Sequence, residues 1–424
     1  MGNRKVGHGM TLSKIAARIV VSFALVLSLC AGVAAEPIAP QDFVRADAKR
    51  LVTSNGNTFL IKGINLGHWL LPEGYMFGFN RKTEAPDQIR RTFARLLGEQ
   101  GAAEFWKRFL DDYIAENDIR FIAAAGFNTI RVPFDYRMFV RGTSEPQLEG
   151  PGYALLDRLV GWAKAAGLRV ILDLHGAPGG QAGTSHDGGS GYPLLFYGRA
   201  YQDLTVRLWR NLAQRYRDEP AMLGYDLLNE PIAPHHDTNY LEPRLEPLLQ
   251  RLTVAVRDVA PRQVIFLEGT RWGTAWHALG TPFDDNVVYS YHSYWASPRR
   301  NTIQPQLNFR DRYNVPILIA ETGEATDQWI ADFRKLHESH GIGWIFWPYK
   351  NLDQTTTVVS IAMPADWPVI IDFADRFASD PQAAPPPTGA IERAFADYLK
   401  NAVFRNCVVR WGYVAALGLR SRGL

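Results

Sequence analysis

Leu223-Gly224-Tyr225-Asp226-Leu227-Leu228-Asn229-Glu230-Pro231 and Pro316-Ile317-Leu318-Ile319-Ala320-Glu321-Thr322-Gly323 decide how this chain is read. Each is a short run with an apolar middle, and each reaches a glutamate just before a turn signal. The apolar stretches do not alternate with polar residues, which is the pattern of parallel strands covered on both faces. Six further runs of this kind occur at 58–67, 127–133, 169–176, 264–270, 287–294 and 342–350. Helical patterns separate them, for example at 153–166, 200–217, 241–259 and 327–339. Eight strand–helix repeats predict an α/β chain closed into a (β/α)8 (TIM) barrel with helix–loop insertions. A doubly wound open sheet is the alternative, but no glycine-rich nucleotide fingerprint follows the first strand.

The insertions can be placed as well. Residues 70–125 are too many for one connection and predict helices near 86–97 and 102–125. The Gly- and Ser-rich segment 177–199 reads as a long loop after the third strand, and the proline-rich 380–388 as a stiff loop before a closing helix at 389–400.

The first 35 residues have the organisation of a secretory signal. Arg4, Lys5, Lys14 and Arg18 are followed by an apolar stretch at 19–33 and by the small residues Val33-Ala34-Ala35. The stretch is short for a membrane span. The chain therefore divides into a signal at 1–35 and one barrel domain at 36–424, secreted or periplasmic, monomeric, with no membrane anchor after cleavage. The formal charge of +3 includes the four basic residues of the signal, which carries no acidic one, so the mature chain stands near −1. Nucleic acid is not an expected partner. Cys30 leaves with the signal, so Cys407 is expected as a lone buried thiol with no intrachain disulfide. His235-His236 lacks the ligand spacing of a zinc site.

A buried carboxylate is costly unless it is paired or put to use. In barrels of this kind the functional groups gather at the C-terminal strand ends. Read in order, those ends offer Asn65, Trp69 and Glu73; Arg131; Asp173 and His175; Asn229 and Glu230; Glu268; His292 and Tyr294; Glu321; and Trp347. Two carboxyls at strand ends are the equipment for breaking a glycosidic bond.

The motifs carry a resemblance. Leu228-Asn229-Glu230-Pro231 resembles the acid/base motif of the cellulase-related barrel glycosidases of clan A, and Ile319-Ala320-Glu321-Thr322-Gly323 resembles their nucleophile motif. Gly63-Ile64-Asn65-Leu66-Gly67, Arg131-Val132-Pro133 and Leu172-Asp173-Leu174-His175-Gly176-Ala177-Pro178-Gly179 narrow it to glycoside hydrolase family 5, towards its β-1,3-glucanase/β-glucosidase branch, over about residues 50–415. The resemblance implies a retaining β-glycosidase acting on β-linked glucans, with no cofactor and no metal. It implies Glu230 as acid/base and Glu321 as nucleophile, with carboxyls about 5–5.5 Å apart. Arg131 would stand beside the nucleophile, Tyr294 would orient it, and Asn229 would bond the sugar 2-OH. His175 and His292 would line the subsite, Trp347 (or Trp344) would stack beneath the sugar, and Glu73 would hold the non-reducing end. Pro72 departs from the branch, which has a bulky apolar residue there. Glu268, Glu324 and Asp173 are expected to support this set. The alternatives are an endo-glucanase or mannanase on another β-linked polysaccharide, or a catalytically silent glucan-binding protein.

Overall fold

The computed structural model describes residue 2 and residues 38–419, apart from 81, 143, 144, 189 and 190. The signal read at 1–35, with its Cys30, lies outside these residues except for Gly2.

A short antiparallel hairpin, β1 (Arg45–Asp47) and β2 (Arg50–Val52), comes first. Eight parallel strands follow: β3 (Lys62–Asn65), β4 (Thr129–Asp135), β5 (Arg169–Gly176), β6 (Met222–Asp226), β7 (Val264–Glu268), β8 (Val287–His292), β9 (Ile317–Glu321) and β10 (Gly343–Phe346). They pair in sequence order, and β10 returns to β3 to close the barrel. Every residue of β4 through β10 is buried, which explains their continuous apolar reading.

Alternate strand residues serve two cores. Ile171, Leu223, Phe266, Val288, Leu318 and Ile345 form an inner cluster. Val44 and Leu51 of the hairpin join it, and Ala46 N–H donates to Asn286 Oδ1 at 2.8 Å just before β8. The hairpin therefore caps the N-terminal end of the barrel, leaving the opposite end for chemistry. The outward residues meet amphipathic helices. In Arg199–Tyr216 the buried Thr205, Leu208, Trp209, Leu212, Ala213 and Tyr216 recur at helical spacing, and Trp209 Nε1 donates to Leu227 O at 3.0 Å.

The insertion differs from its sequence reading. One helical stretch runs Pro86–Asp112, interrupted only at Gly98, whose φ of 69° is left-handed; a second helix spans Glu116–Ala125. The expected 102–125 helix breaks because Asp118 turns back, accepting Ala115 N–H at 2.9 Å. The expected last strand, 342–350, stops at Phe346. Pro348 has no N–H to donate, and Lys350–Leu352 (β11) joins a separate sheet with Val359–Ile361 (β12) and Val408–Val409 (β13). The closing helix spans Thr388–Ala402, and Trp367–Ser379, not read from the sequence, precedes it. Both pack on Pro86–Asp112 through aromatic rings, with Phe93–Phe395 at 4.8 Å and Phe93–Trp367 at 6.4 Å between centroids, and Trp367–Tyr398 at 4.6 Å joins the two to each other. Lys350, fully buried, pairs with Asp118 Oδ1 at 2.7 Å and pins this region to the barrel. Cys407 is half-buried rather than buried; its Sγ donates to Asn401 O at 3.2 Å. Among the described residues no helix is long and apolar enough to cross a membrane.

Candidate active site

Arg131, on β4, organises the C-terminal end of the barrel. Its Nε donates to Asp226 at 2.9 Å, and Nη1 donates to Asn65 at 3.0 Å and to Glu321 at 2.6 Å. Nη2 meets Asn229 at 2.9 Å, Glu268 at 3.0 Å and Asp173 at 3.2 Å. All six partners are buried. A planar, permanently charged fork is the side chain that can satisfy so many at once. Burial, then the neighbouring Glu268, pushes Asp226 well above the ordinary carboxylate range despite Arg131.

Glu321 takes the opposite course. Burial opposes its charge, but His292, Arg131 and His175 outweigh it and hold the carboxyl at about 2. Its Oε1 accepts from Arg131 and its Oε2 accepts from the Tyr294 hydroxyl at 3.0 Å. Both oxygens of an ionised carboxylate are therefore fixed in direction.

Glu230 follows β6 with a left-handed φ of 46°, and its N–H donates to Glu268 Oε2 at 2.7 Å. Its Oε1 lies 2.8 Å from His292 Nδ1 and its Oε2 lies 3.3 Å from His186 Nε2. One oxygen of Glu230, one oxygen of Glu321 and a His292 nitrogen all lie within 4.8 Å of one another. The barrel thus brings together two glutamates 91 residues apart in sequence.

His292 bridges the set, with Nε2 at 3.0 Å from Glu268 and Nδ1 at 3.5 Å from Glu321. Burial disfavours its charge, but Glu268 and Glu321 raise it well above the ordinary histidine value. His175 is likewise buried, yet Asp173, 2.8 Å from its Nδ1, lifts it to about 9. Two glycines make room. A Cβ on Gly273 (φ 69°) would stand 2.9 Å from Glu268 Oε2, and one on Gly67 would stand 2.5 Å from the Trp347 ring.

Trp347 stacks on His175 with centroids 5.7 Å apart and planes 9° apart, and its Nε1 donates to the Tyr75 hydroxyl at 2.6 Å. Trp344, the alternative platform, instead donates to Glu338 on the outer helix layer. Trp69 is also core, donating to Leu110 O at 2.9 Å. Glu73 is half-buried, with its Oε1 buried and lacking a hydrogen-bond partner. Burial, opposed by His175 and helped by Glu321, raises it to about 8. Glu324 is raised by burial to about 7 and bonds Tyr75. Asn229 Nδ2 lies 3.4 Å from His175 Nε2. The structure therefore gathers Glu73, Arg131, His175, Asn229, Glu230, His292, Tyr294, Glu321 and Trp347 in one cleft. The His235 and His236 rings lie 4.2 Å apart between centroids, tilted by 46°, and His236 Nε2 lies 3.0 Å from Gly183 O.

Sequence reading missed three contributors. Asp226 had a signal, a carboxylate inside an apolar run. Tyr75 and His186 sit in irregular loops with no periodicity to mark them. Arg131 and His292 stand against the oxygens of Glu321, and His292 and His186 against those of Glu230.

The chain matches the family model of "Cellulase (glycosyl hydrolase family 5)" over residues 94–353. It is 30% identical over 255 residues to a beta-xylosidase of Phanerodontia chrysosporium, covering 59% of this chain and 52% of that protein. It is also 30% identical over 256 residues to a probable glucan 1,3-beta-glucosidase A of Aspergillus fumigatus, covering 58% of this chain and 59% of that one. The chain thus spans between half and six-tenths of the length of these relatives. Among solved structures it resembles an endogalactoceramidase (TM-score 0.58, 19% identity, 89% of this chain and 84% of that one). A rutinosidase from Aspergillus niger is similar too (TM-score 0.56, 18% identity, 69% and 90%). These likenesses establish the barrel fold. With the family model spanning more than half of the sequence, the chain belongs to glycosyl hydrolase family 5.

Proposed function

We propose that this protein is a secreted β-glycosidase that hydrolyses β-glucans with retention, acting at the chain end in the manner of a β-1,3-glucosidase. One observation carries the reading: two glutamates at the C-terminal end of the barrel, with one oxygen of each within 4.8 Å of the other, close to the spacing of a retaining pair. Inverting enzymes need about 6.5–9.5 Å to admit a water between the carboxyls, whereas retaining ones need about 5–5.5 Å. Glu321, ionised and fixed by Arg131 and Tyr294, attacks the anomeric carbon as the glycosidic C–O bond breaks. Glu230 delivers its proton to the leaving oxygen. It then takes a proton from the water that displaces Glu321, and the sugar leaves with its original configuration. Asn229, held by Arg131, is placed to bond the 2-OH, and Trp347 on His175 offers a flat face to the sugar. Glu73, raised to about 8, is a neutral donor at neutral pH and suits a hydroxyl at the non-reducing end. The signal pattern read in the sequence at 1–35 supports secretion, and the named glucan 1,3-beta-glucosidase relative supports the substrate class.

The test is proton NMR of the first-formed anomer from β-1,3-, β-1,4- and mixed-linked glucans and β-mannan. β-Glucose from the β-1,3-polymer is expected. β-Configured oligosaccharides from another polymer would replace the substrate and keep the mechanism. α-Configured product would refute retention. Binding without cleavage of any polymer would point to a silent glucan binder.

A further inference from the structure

Four rings form a row on the loops that follow β5, β6 and β7. Between centroids, Tyr192 and His236 lie 6.0 Å apart, His236 and His235 4.2 Å, and His235 and Trp272 6.1 Å. Tyr192 is 64% exposed and Trp272 38% exposed, so the row faces solvent rather than the core. Single exposed rings are ordinary, whereas a contiguous exposed row marks a binding surface.

The backbone beneath Trp272 is strained. Arg271 and Trp272 are both left-handed at φ 58°, and Gly273 follows at 69°. A bulky residue keeps that conformation only where its surroundings enforce it. Arg271 N–H donates to Ile232 O at 2.9 Å, and Arg271 Nε donates to Glu242 Oε1 at 2.8 Å. Ile232 N–H donates to Gln181 O at 2.9 Å, and Ala233 N–H donates to Ala182 O at 3.0 Å. His236 Nε2 donates to Gly183 O at 3.0 Å. The three loops are thereby laced into one surface, with Trp272 held out at its edge.

The place of this surface beside the glutamates gives its occupant. Ile232, His235 and His236 follow Glu230 on the same loop, and Gly183 shares a loop with His186, whose Nε2 is 3.3 Å from Glu230 Oε2. Trp347, the platform proposed for the cleaved sugar, follows β10, which stands four strands from β6 in the closed ring. A glycoside seated on Trp347 therefore directs its leaving group across the barrel, towards Glu230 and the row behind it. We propose that Tyr192, His235, His236 and Trp272 form a leaving-group subsite for the β-linked sugar units beyond the scissile bond, with ring faces against the apolar C–H faces of the pyranoses. This rests on the glycosidase reading above. The polar edges of indole, imidazole and phenol are suited to the hydroxyls that rim each sugar. Binding so far from the reacting atoms raises kcat/KM for a long leaving group and leaves a small one unaffected.

The experiment compares kcat/KM on two probes. One is β-glucosyl fluoride, whose leaving group is too small to reach the row. The other is a ladder of β-1,3-linked glucose oligosaccharides of increasing length, or the β-1,4-glucan or β-mannan ladder with its matching glycosyl fluoride if wild type prefers that polymer. Asparagine tolerates a left-handed backbone, so Trp272→Asn removes the ring without adding strain and should not lower the melting temperature. Wild-type kcat/KM should climb along the ladder. Trp272→Asn should flatten the climb, with a loss of about tenfold on the longer members and none on the fluoride, and Trp272→Phe should restore most of it. An unchanged ladder in Trp272→Asn, or an equal loss on the fluoride, overturns the subsite. If Trp272→Asn does not fold, His235→Ala is read on the same ladder by the same criteria. Turnover of the fluoride with a flat wild-type ladder sinks the subsite and leaves the glycosidase reading standing. If wild type turns over neither probe, that reading fails, and calorimetry with the longest oligosaccharide tests the row alone. A Kd weakened about tenfold by Trp272→Asn would then support the subsite, and an equal Kd or no binding would remove it.

Discussion

Replacing Arg131 with lysine keeps a positive charge in the barrel and removes the fork. Arginine here reaches six polar partners: Asn65, Asp173, Asp226, Asn229, Glu268 and Glu321. An ammonium has three donors, so at least three partners are lost. At the low end of about 1.5 kcal/mol for each charge-assisted bond, the native state loses on the order of 4–5 kcal/mol. That loss is pH-dependent. Carboxylates stripped of their partner bind protons more readily in the folded than in the unfolded chain, so the variant's stability falls as pH rises through their new folded values. Urea unfolding at pH 5 and pH 8 should therefore show the larger deficit at pH 8. If one of the lost bonds is that to Glu321 Oε1, about 1.5–3 kcal/mol of nucleophile positioning goes with it, or about 10–150-fold in kcat/KM. Stability within about 1 kcal/mol of wild type at both pH values, with kcat/KM within about threefold, would refute the claim that the geometry of this fork, rather than its charge, holds the site together.

Two further outcomes follow from single positions. Gly273→Ala places a methyl 2.9 Å from Glu268 Oε2 at a left-handed φ of 69°, which should cost about 1–2 kcal/mol in backbone strain; kcat should fall by more than that stability loss, and a variant with wild-type kcat would show that Glu268 need not keep its place. His175 is raised from 6.5 to about 9 by Asp173, so its contribution to stability is fully present below pH 6.5 and is lost as pH rises through 9; the stability gap between wild type and His175→Gln, measured by urea unfolding, should shrink over that window, and a gap independent of pH would contradict a charged His175.

Seven of the eight strands could be read from the sequence because β4 through β10 are buried on both faces and therefore largely apolar. Glu230, Glu321, Arg131, His175 and His292 stood out for the same reason, as polar side chains at the ends of apolar runs. The β1–β2 hairpin and the Trp367–Ser379 helix were missed. The hairpin consists of two three-residue strands, too short to leave a pattern, and its value lies in plugging a barrel end that local sequence does not describe. The break between Asp112 and Glu116 was missed because Asp118 looks like any surface acid until it is seen capping a helix and pairing with Lys350.

The sequence by itself determined which chemical groups are present and the strand ends on which they sit, because periodicity and burial are local properties of the chain. Only the tertiary structure decided which of them touch. Arg131 serves four carboxyl groups drawn from four other strands, Asp226 is pushed up while Glu321 is held down, and His186 reaches Glu230 from a loop without any pattern. Those outcomes depend on distances of a few ångströms between residues far apart in sequence, and electrostatic coupling in a buried site is set by such distances.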